Sequence, residues 1–376
     1  MAIVLSHDQV RRLRLRAQRL HPQPDSVIGA AQVVRELCGI QAQDLAAAIL
    51  AVRPRSIGLV AADVDRARVQ TRSVVRMWGQ RSTLHLLATE DLGWLLSLLG
   101  PVFVAGGRRR RAELGLDEDI YTRAIRIIRN VLANQGPLTR AELVEQLATH
   151  GIDLKGQARP HLLSRAALEG IICFGPDRGA EPTYVLLSDW VDREHSGQPL
   201  SEDAAYAELT RRYLTAYGPA TPKDQATWSG LLLSKTRAAW QHIANDLLEV
   251  EVAGSPAWML KACAGWLDGL PAAAPIVHLL PRFDTYLLGY QNRDLAVPPR
   301  NAKRINAGGG IVHSTLLVDG RAVGTWKSKR KKDHLDIVVE PFNQLGPEAH
   351  TGLEAEVADV ARFLEIQATL SVQPPR

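Results

Sequence analysis

The segment Leu37-Cys38-Gly39-Ile40-Gln41-Ala42-Gln43-Asp44 sets two carboxamides two residues apart, directly after a glycine that should end a helix. On extended or turning backbone, side chains at i and i+2 can point the same way, so Gln41 and Gln43 can converge on one target. A glutamine amide is neither a general acid nor a general base near neutral pH. It can orient a water molecule and present its dipole to developing charge. The same two amides would serve to satisfy local backbone groups, and the residues alone leave both uses open.

Other familiar site chemistry does not appear in the chain. Gly308 to Gly310 lie in β-patterned sequence with no Lys-Ser/Thr following, so they are not a phosphate loop, and no Gly-x-Ser-x-Gly elbow occurs. Cys38, Cys173 and Cys263 are far apart, matching neither a disulfide framework nor a zinc site, and the eleven histidines are scattered. No cofactor and no metal are expected.

The chain of 376 residues carries 45 Lys+Arg against 40 Asp+Glu, and 46% hydrophobic with 23% charged residues is the composition of a globular protein. At this length two or more domains are expected, because single cores stop growing near roughly 250–300 residues. No apolar run approaches the roughly 20 residues that span a bilayer. The start, MAIVLSHDQVRRLRLR, lacks the layout of a signal peptide, so a cytoplasmic location is expected. Positive charge clusters in Arg11 to Arg19, in Arg108 to Arg111 and in Lys327 to Lys332, the footprint of phosphate-backbone binding or of solvated faces.

The elements that must hold these residues repeat along the chain. From Ile120 a helical pattern runs to a stop at Gly136-Pro137; helices closed by Gly151 and Gly170 follow, then a hairpin around the turn in IICFGPDRGAEPTYVLL. The helix, the Gly218-Pro219 stop, the Thr221 cap and a hairpin turning at Gly254-Ser255-Pro256 repeat this order. At the front, two helical stretches lead to a hairpin turning near Gly79. The expected fold is α+β: three tandem winged helix-turn-helix units in residues 1–115, 116–200 and 201–272, then a β-barrel with a C-terminal helix in 273–376. The Trp residues at 190, 228, 240, 258 and 266 are expected in cores, and the tail SVQPPR is expected to fray.

Four stretches carry a family resemblance: Gln41-Ala42-Gln43; the hairpin from Met77 to Leu86; Leu280 to Tyr290, LPRFDTYLLGY; and Val318 to Trp326, VDGRAVGTW. Together and in this order they resemble the winged-helix DNA glycosylases, most closely the AlkZ type. These are azinomycin-resistance enzymes that unhook DNA interstrand crosslinks. The resemblance implies winged-helix units and a β-barrel around a DNA-binding channel, and monofunctional hydrolysis of the N-glycosidic bond of N7-alkylated purines. It maps the family's Gln-x-Gln motif onto Gln41 and Gln43. The AlkX-type sister branch carries Gln-x-Asp there, and Asp44 follows directly here.

Amides alone suit such a substrate, because a base that already carries positive charge leaves without protonation. The expected partner is double-stranded DNA bearing N7-alkylpurine adducts or crosslinks, met by a monomer. His313, Ser314 and Thr315, in a hairpin from Ile311 to Trp326, are candidates for approaching the lesion. Lys327, Lys329, Arg330, Lys331 and Lys332 are candidates for gripping phosphates, as are Arg76 and Arg81 beside the first wing. A generalist alkylpurine glycosylase and a non-catalytic DNA-binding regulator are the competing readings.

Overall fold

The computed structural model describes residues 3–21, 27–192, 194–267 and 275–375. Contacts group the chain into two compact units: residues 1–65 with 207–376, and residues 66–206. This division cuts across the four consecutive segments expected from the sequence. The expected boundary between 272 and 273 lies outside the described residues.

In the unit formed by residues 66–206, the helix Glu118–Gln135 starts where Asp117 accepts the Ile120 amide and stops at Gly136, whose φ of +77° suits a residue without a side chain. Thr139 and Glu142 form a capping box at the start of Arg140–Thr149, and Ala158–Leu168 is the third helix. Tyr121, Ala124, Ile125, Ile128 and Leu132 bury one stripe of the long helix in a core shared with Leu143, Leu162 and Tyr184.

The two expected hairpins of this unit do not stand apart as separate wings. Strand Val74–Trp78 pairs antiparallel with Leu84–Ala88 on one side and meets Ile172–Phe174 through Arg76 and Phe174 on the other. The sheet continues through Thr183–Leu186 to Leu138–Thr139.

In the other unit, the hairpin of Leu247–Val252 and Ser255–Leu260 gains a parallel strand, Ile3–Leu5, so it too belongs to a sheet. Thr221 and Asp224 cap the helix Pro222–Ser229 as the sequence suggests. Trp228 packs against Tyr213 and Tyr217, and Trp240 meets Trp258 edge to face.

The C-terminal region forms a curled half-barrel, not a closed barrel. Its strands run in the open order Val277–Leu280, Thr315–Val318, Arg321–Lys331, His334–Pro341, Gln367–Val372. Helix Pro347–Leu364 covers one face, burying Leu353, Val357 and Val360 among Leu279, Leu316, Trp326 and Ile337. Each such side chain is worth about 1.5–3 kcal/mol of burial. The opposite side packs Leu280, Leu317 and Ala322 against Leu15, Leu20 and Tyr286. The expectation of a frayed tail is corrected at its start: Ser371 and Val372 pair with Val338 and Val339, because a parallel edge strand takes up their backbone groups.

Candidate active site

The glutamine segment lies in the first of these units and is shaped by a helix that ends abruptly. Helix Ala30–Glu36 breaks where Cys38 and Gly39 take φ of +53° and +102°, and the Gly39 amide donates back to the Val34 carbonyl at 2.9 Å. The chain then turns into the two-residue strand Ile40–Gln41. Gln41 is only 8% exposed and Ala42 is buried, whereas Gln43 is exposed. The strand ends at Gln41 and the chain bends at Gln43, so the two amides sit in different surroundings. Asp44 follows as the N-cap of helix Leu45–Val52, one carboxylate oxygen accepting the Ala47 amide at 3.1 Å.

The far end of that helix is locked. It runs into the turn Arg53–Arg55, whose two arginines are 1% exposed. Arg55 donates to both carboxylate oxygens of Asp284, at 2.7 and 2.8 Å, and also to the Ala51 carbonyl, the Gln18 carbonyl and the Thr285 hydroxyl. Arg53 reaches Glu356 at 2.6 Å and Asp359 at 2.7 Å. Burial works to raise the Glu356 carboxyl, but Arg53 and His278 beside it prevail and hold it well below the usual carboxylate range. A bidentate pair fixes orientation as well as distance. The helix carrying the glutamine turn is thereby bolted to the half-barrel, and Leu50 packs on the sheet core. Asp284 and Thr285, in the stretch LPRFDTYLLGY, are positioning residues.

Arg282, also in this stretch, lies next to the glutamine turn, a placement that sequence reasoning missed. Its guanidinium lies 3.6 Å from the second Asp44 oxygen and over the Phe283 ring, and its side chain is 44% exposed. The signal in the sequence is a charged pair, Arg282 and Asp284, inside a mostly apolar and aromatic stretch. Phe283, at φ +59°, donates its amide to the Val312 carbonyl, which brings exposed His313 to the same neighbourhood. The glutamine turn, Arg282 and His313 are therefore linked by consecutive contacts within one unit.

The remaining sequence candidates divide by burial. Thr315, expected to approach the lesion, is instead wholly buried and donates its hydroxyl to the His313 carbonyl, so its side chain is not exposed; Ser314 is half-buried. The expected hairpin from Ile311 to Trp326 is also corrected. Ile311–Val312 pairs backward with Asn306–Gly308, while Thr315–Val318 pairs with Arg321–Lys331. Gly308, Gly309 and Gly310 all take positive φ, and Gly309-Gly310 form the two-residue turn of the smaller hairpin.

In the unit of residues 66–206, Arg76 is buried over the Phe174 ring and cannot serve as an exposed phosphate contact. Arg81 stands half-buried at the hairpin turn with φ +54°. Lys327 to Lys332 are exposed where the strand outruns its core. Lys327 pairs with Glu340 and Lys331 with Asp336, while Lys329, Arg330 and Lys332 make no ion pair among the described residues.

A groove of about 440 Å³ in the first unit is lined by His7, Arg14, Asp224 and Asp294 among others, but by neither glutamine. Its polar groups tie neighbouring turns together. Arg14 donates to the Pro219 carbonyl and lies over Tyr290, while Asp224 accepts from Thr221 and from the Gln291 amide. The glutamine turn thus lies outside this groove.

The family described as DNA glycosylase AlkZ-like matches residues 34–363. The chain is 30% identical over 361 residues to an interstrand DNA cross-link repair glycosylase of Streptomyces sahachiroi, covering 92% of this chain and 94% of that protein. The solved structure of the DNA glycosylase AlkZ from Streptomyces sahachiroi superposes with a TM-score of 0.82 at 26% identity, over 99% of this chain and 100% of that one. The chain belongs to the AlkZ-like DNA glycosylase family, hydrolases that act on N-glycosyl bonds.

Proposed function

We propose that this enzyme hydrolyses the N-glycosidic bond of bulky N7-alkylated purines in double-stranded DNA and unhooks interstrand crosslinks. It does so as a cytoplasmic monomer, in self-protection against a genotoxic natural product. The relative named for cross-link repair, similar over nearly its whole length, supports the crosslink part of this reading. The observation that carries the chemistry is the mounting of the glutamines. Gln43 is exposed beside the N-cap of a helix whose other end is fixed by two buried arginines, and Gln41 sits in the strand just before it.

N7-alkylation leaves the purine cationic. When the C1′–N9 bond breaks, its electron pair returns to the base and neutralises it, so no acid has to protonate the leaving group. A water oxygen forms the new bond to C1′ and its proton passes to solvent, leaving an abasic deoxyribose. The chain has only to place that water and to face the oxocarbenium-like sugar with carboxamide oxygens. A generalist Gln-x-Asp chemistry would use a carboxylate, and Asp44 is adjacent. Its oxygens are already directed to the helix N-terminus and to Arg282, which favours the two-glutamine reading. Membership in a glycosylase family sets the regulator reading aside.

The test is formation of alkali-labile abasic sites in N7-methylguanine and crosslinked duplexes under single-turnover conditions. Gln41→Ala and Gln43→Ala are each expected to slow excision about 10²-fold, the size of losing one preorganised polar group aimed at developing charge. Variants as fast as wild type would overturn the reading. Equal activity on small methyl adducts and bulky adducts would point to the generalist branch.

A further inference from the structure

The helix Glu118–Gln135 has an outer face that its fold does not explain. Arg123, Arg126 and Arg129 are all exposed, three residues apart, and the other exposed residues from 122 to 135 are Thr122, Asn130, Ala133, Asn134 and Gln135. No carboxylate interrupts this stretch. The acidic residues Asp117, Glu118 and Asp119 are confined to the cap and first turn, where the helix dipole favours them, and Glu118 is held by Arg165. Several other arginines of the same unit are matched by carboxylates: exposed Arg109 and Arg110 with Glu113, exposed Arg178 with Glu142, and the buried Arg68 with Asp177. Arg123, Arg126 and Arg129 make no ion pair among the described residues.

Three unpaired guanidinium groups on one face repel each other and add nothing to the stability of the isolated helix. They span about 9 Å along the axis at 1.5 Å per residue. Duplex DNA presents a backbone charge every roughly 1.7 Å of its axis, and guanidinium binds phosphate in a two-pronged geometry. Nearby, Asn134 donates to the side chain and carbonyl of Asn130.

We infer that Arg123, Arg126 and Arg129 form a sequence-independent contact with the phosphate backbone of the DNA substrate, separate from the basic strand end at Lys327 to Lys332. The inference rests on the reading of the chain as a glycosylase of duplex DNA. It adds a binding face in the unit of residues 66–206 that none of the motifs indicated.

The experiment uses the full chain and a fluorescent undamaged duplex, with the Kd measured across a salt series. The triple variant Arg123→Gln, Arg126→Gln, Arg129→Gln is expected to lower the slope of log affinity against log salt by about 2–3, near 0.9 for each phosphate no longer neutralised. Replacement of all three by Lys should restore most of the slope. Arg178→Gln, Arg211→Gln and Lys155→Gln together remove the same charge from exposed, ion-paired positions and should change the slope by less than about 1. If the first variant behaves like this control, the contact does not exist and the face serves another partner, such as an acidic protein segment. Excision by the wild-type protein is scored separately. Its absence would remove the glycosylase reading, whereas the salt slopes alone decide this face.

Discussion

At the scale of single residues, placement decides role more than type does. Gln41 and Gln43 are chemically identical, yet one is nearly buried and the other exposed. His85 shows how strongly burial acts on a titratable group. Burial, and then the charge of Arg81, push its imidazole down to about 3, against a hydrogen bond to the Thr83 carbonyl that favours the charged form. An unfolded chain protonates this ring near its ordinary 6.5, so below that pH the unfolded state binds a proton that the native state refuses. Stability is therefore fully present above 6.5 and is lost as pH falls toward 3. Between pH 7 and pH 5 the loss should be on the order of 2 kcal/mol. His161, lowered by burial and by Arg110 and Arg111, adds in the same direction. Urea denaturation of wild type and His85→Gln at the two pH values checks this. The variant should show the smaller difference, and an equal difference would sink the assignment.

At the scale of elements, the site depends on how the helix Leu45–Val52 is held. Its N-terminal end carries the glutamine turn and its C-terminal end carries the Arg55–Asp284 pair, both side chains fully enclosed. Removing one partner of such a pair strands a buried charge, which costs about 3–5 kcal/mol. Asp284→Ala should therefore lower the unfolding free energy by about that amount. Where the variant still folds, excision should fall more than DNA affinity does, because the helix tilts while the basic surfaces remain. Full stability after the substitution, measured by urea denaturation, would show that the pair does not hold the helix.

At the scale of the whole molecule, positive charge matters only where it is not already neutralised. Net charge counts Lys327 and Lys331 equally with Lys329, Arg330 and Lys332, but the first two face acidic side chains on the neighbouring strand. Lys329→Gln, Arg330→Gln and Lys332→Gln together should weaken DNA binding and lower the salt slope by about 2–3, as expected for three phosphate contacts. Lys327→Gln with Lys331→Gln should lower it by less than about 1, and the reverse order would refute the assignment.

Local signals were legible in the chain itself. The stops at Gly136, Gly170 and Gly218, the caps at Thr139 and Thr221, and the glutamine pair after Gly39 follow from backbone conformation and hydrogen bonding within a few residues. What joins distant segments was not legible. That two hairpins share one sheet, that the last strands stop short of closing a barrel, and that Asp284 clamps Arg55 are decided by pairings between residues far apart in sequence. Thr315 and Arg76 read as surface contacts because a polar side chain looks the same inside and out until its neighbours are known. Arg282 meets Asp44 only in the folded chain. Short-range conformational preferences are written residue by residue, whereas burial and electrostatic partnership are properties of the packed chain.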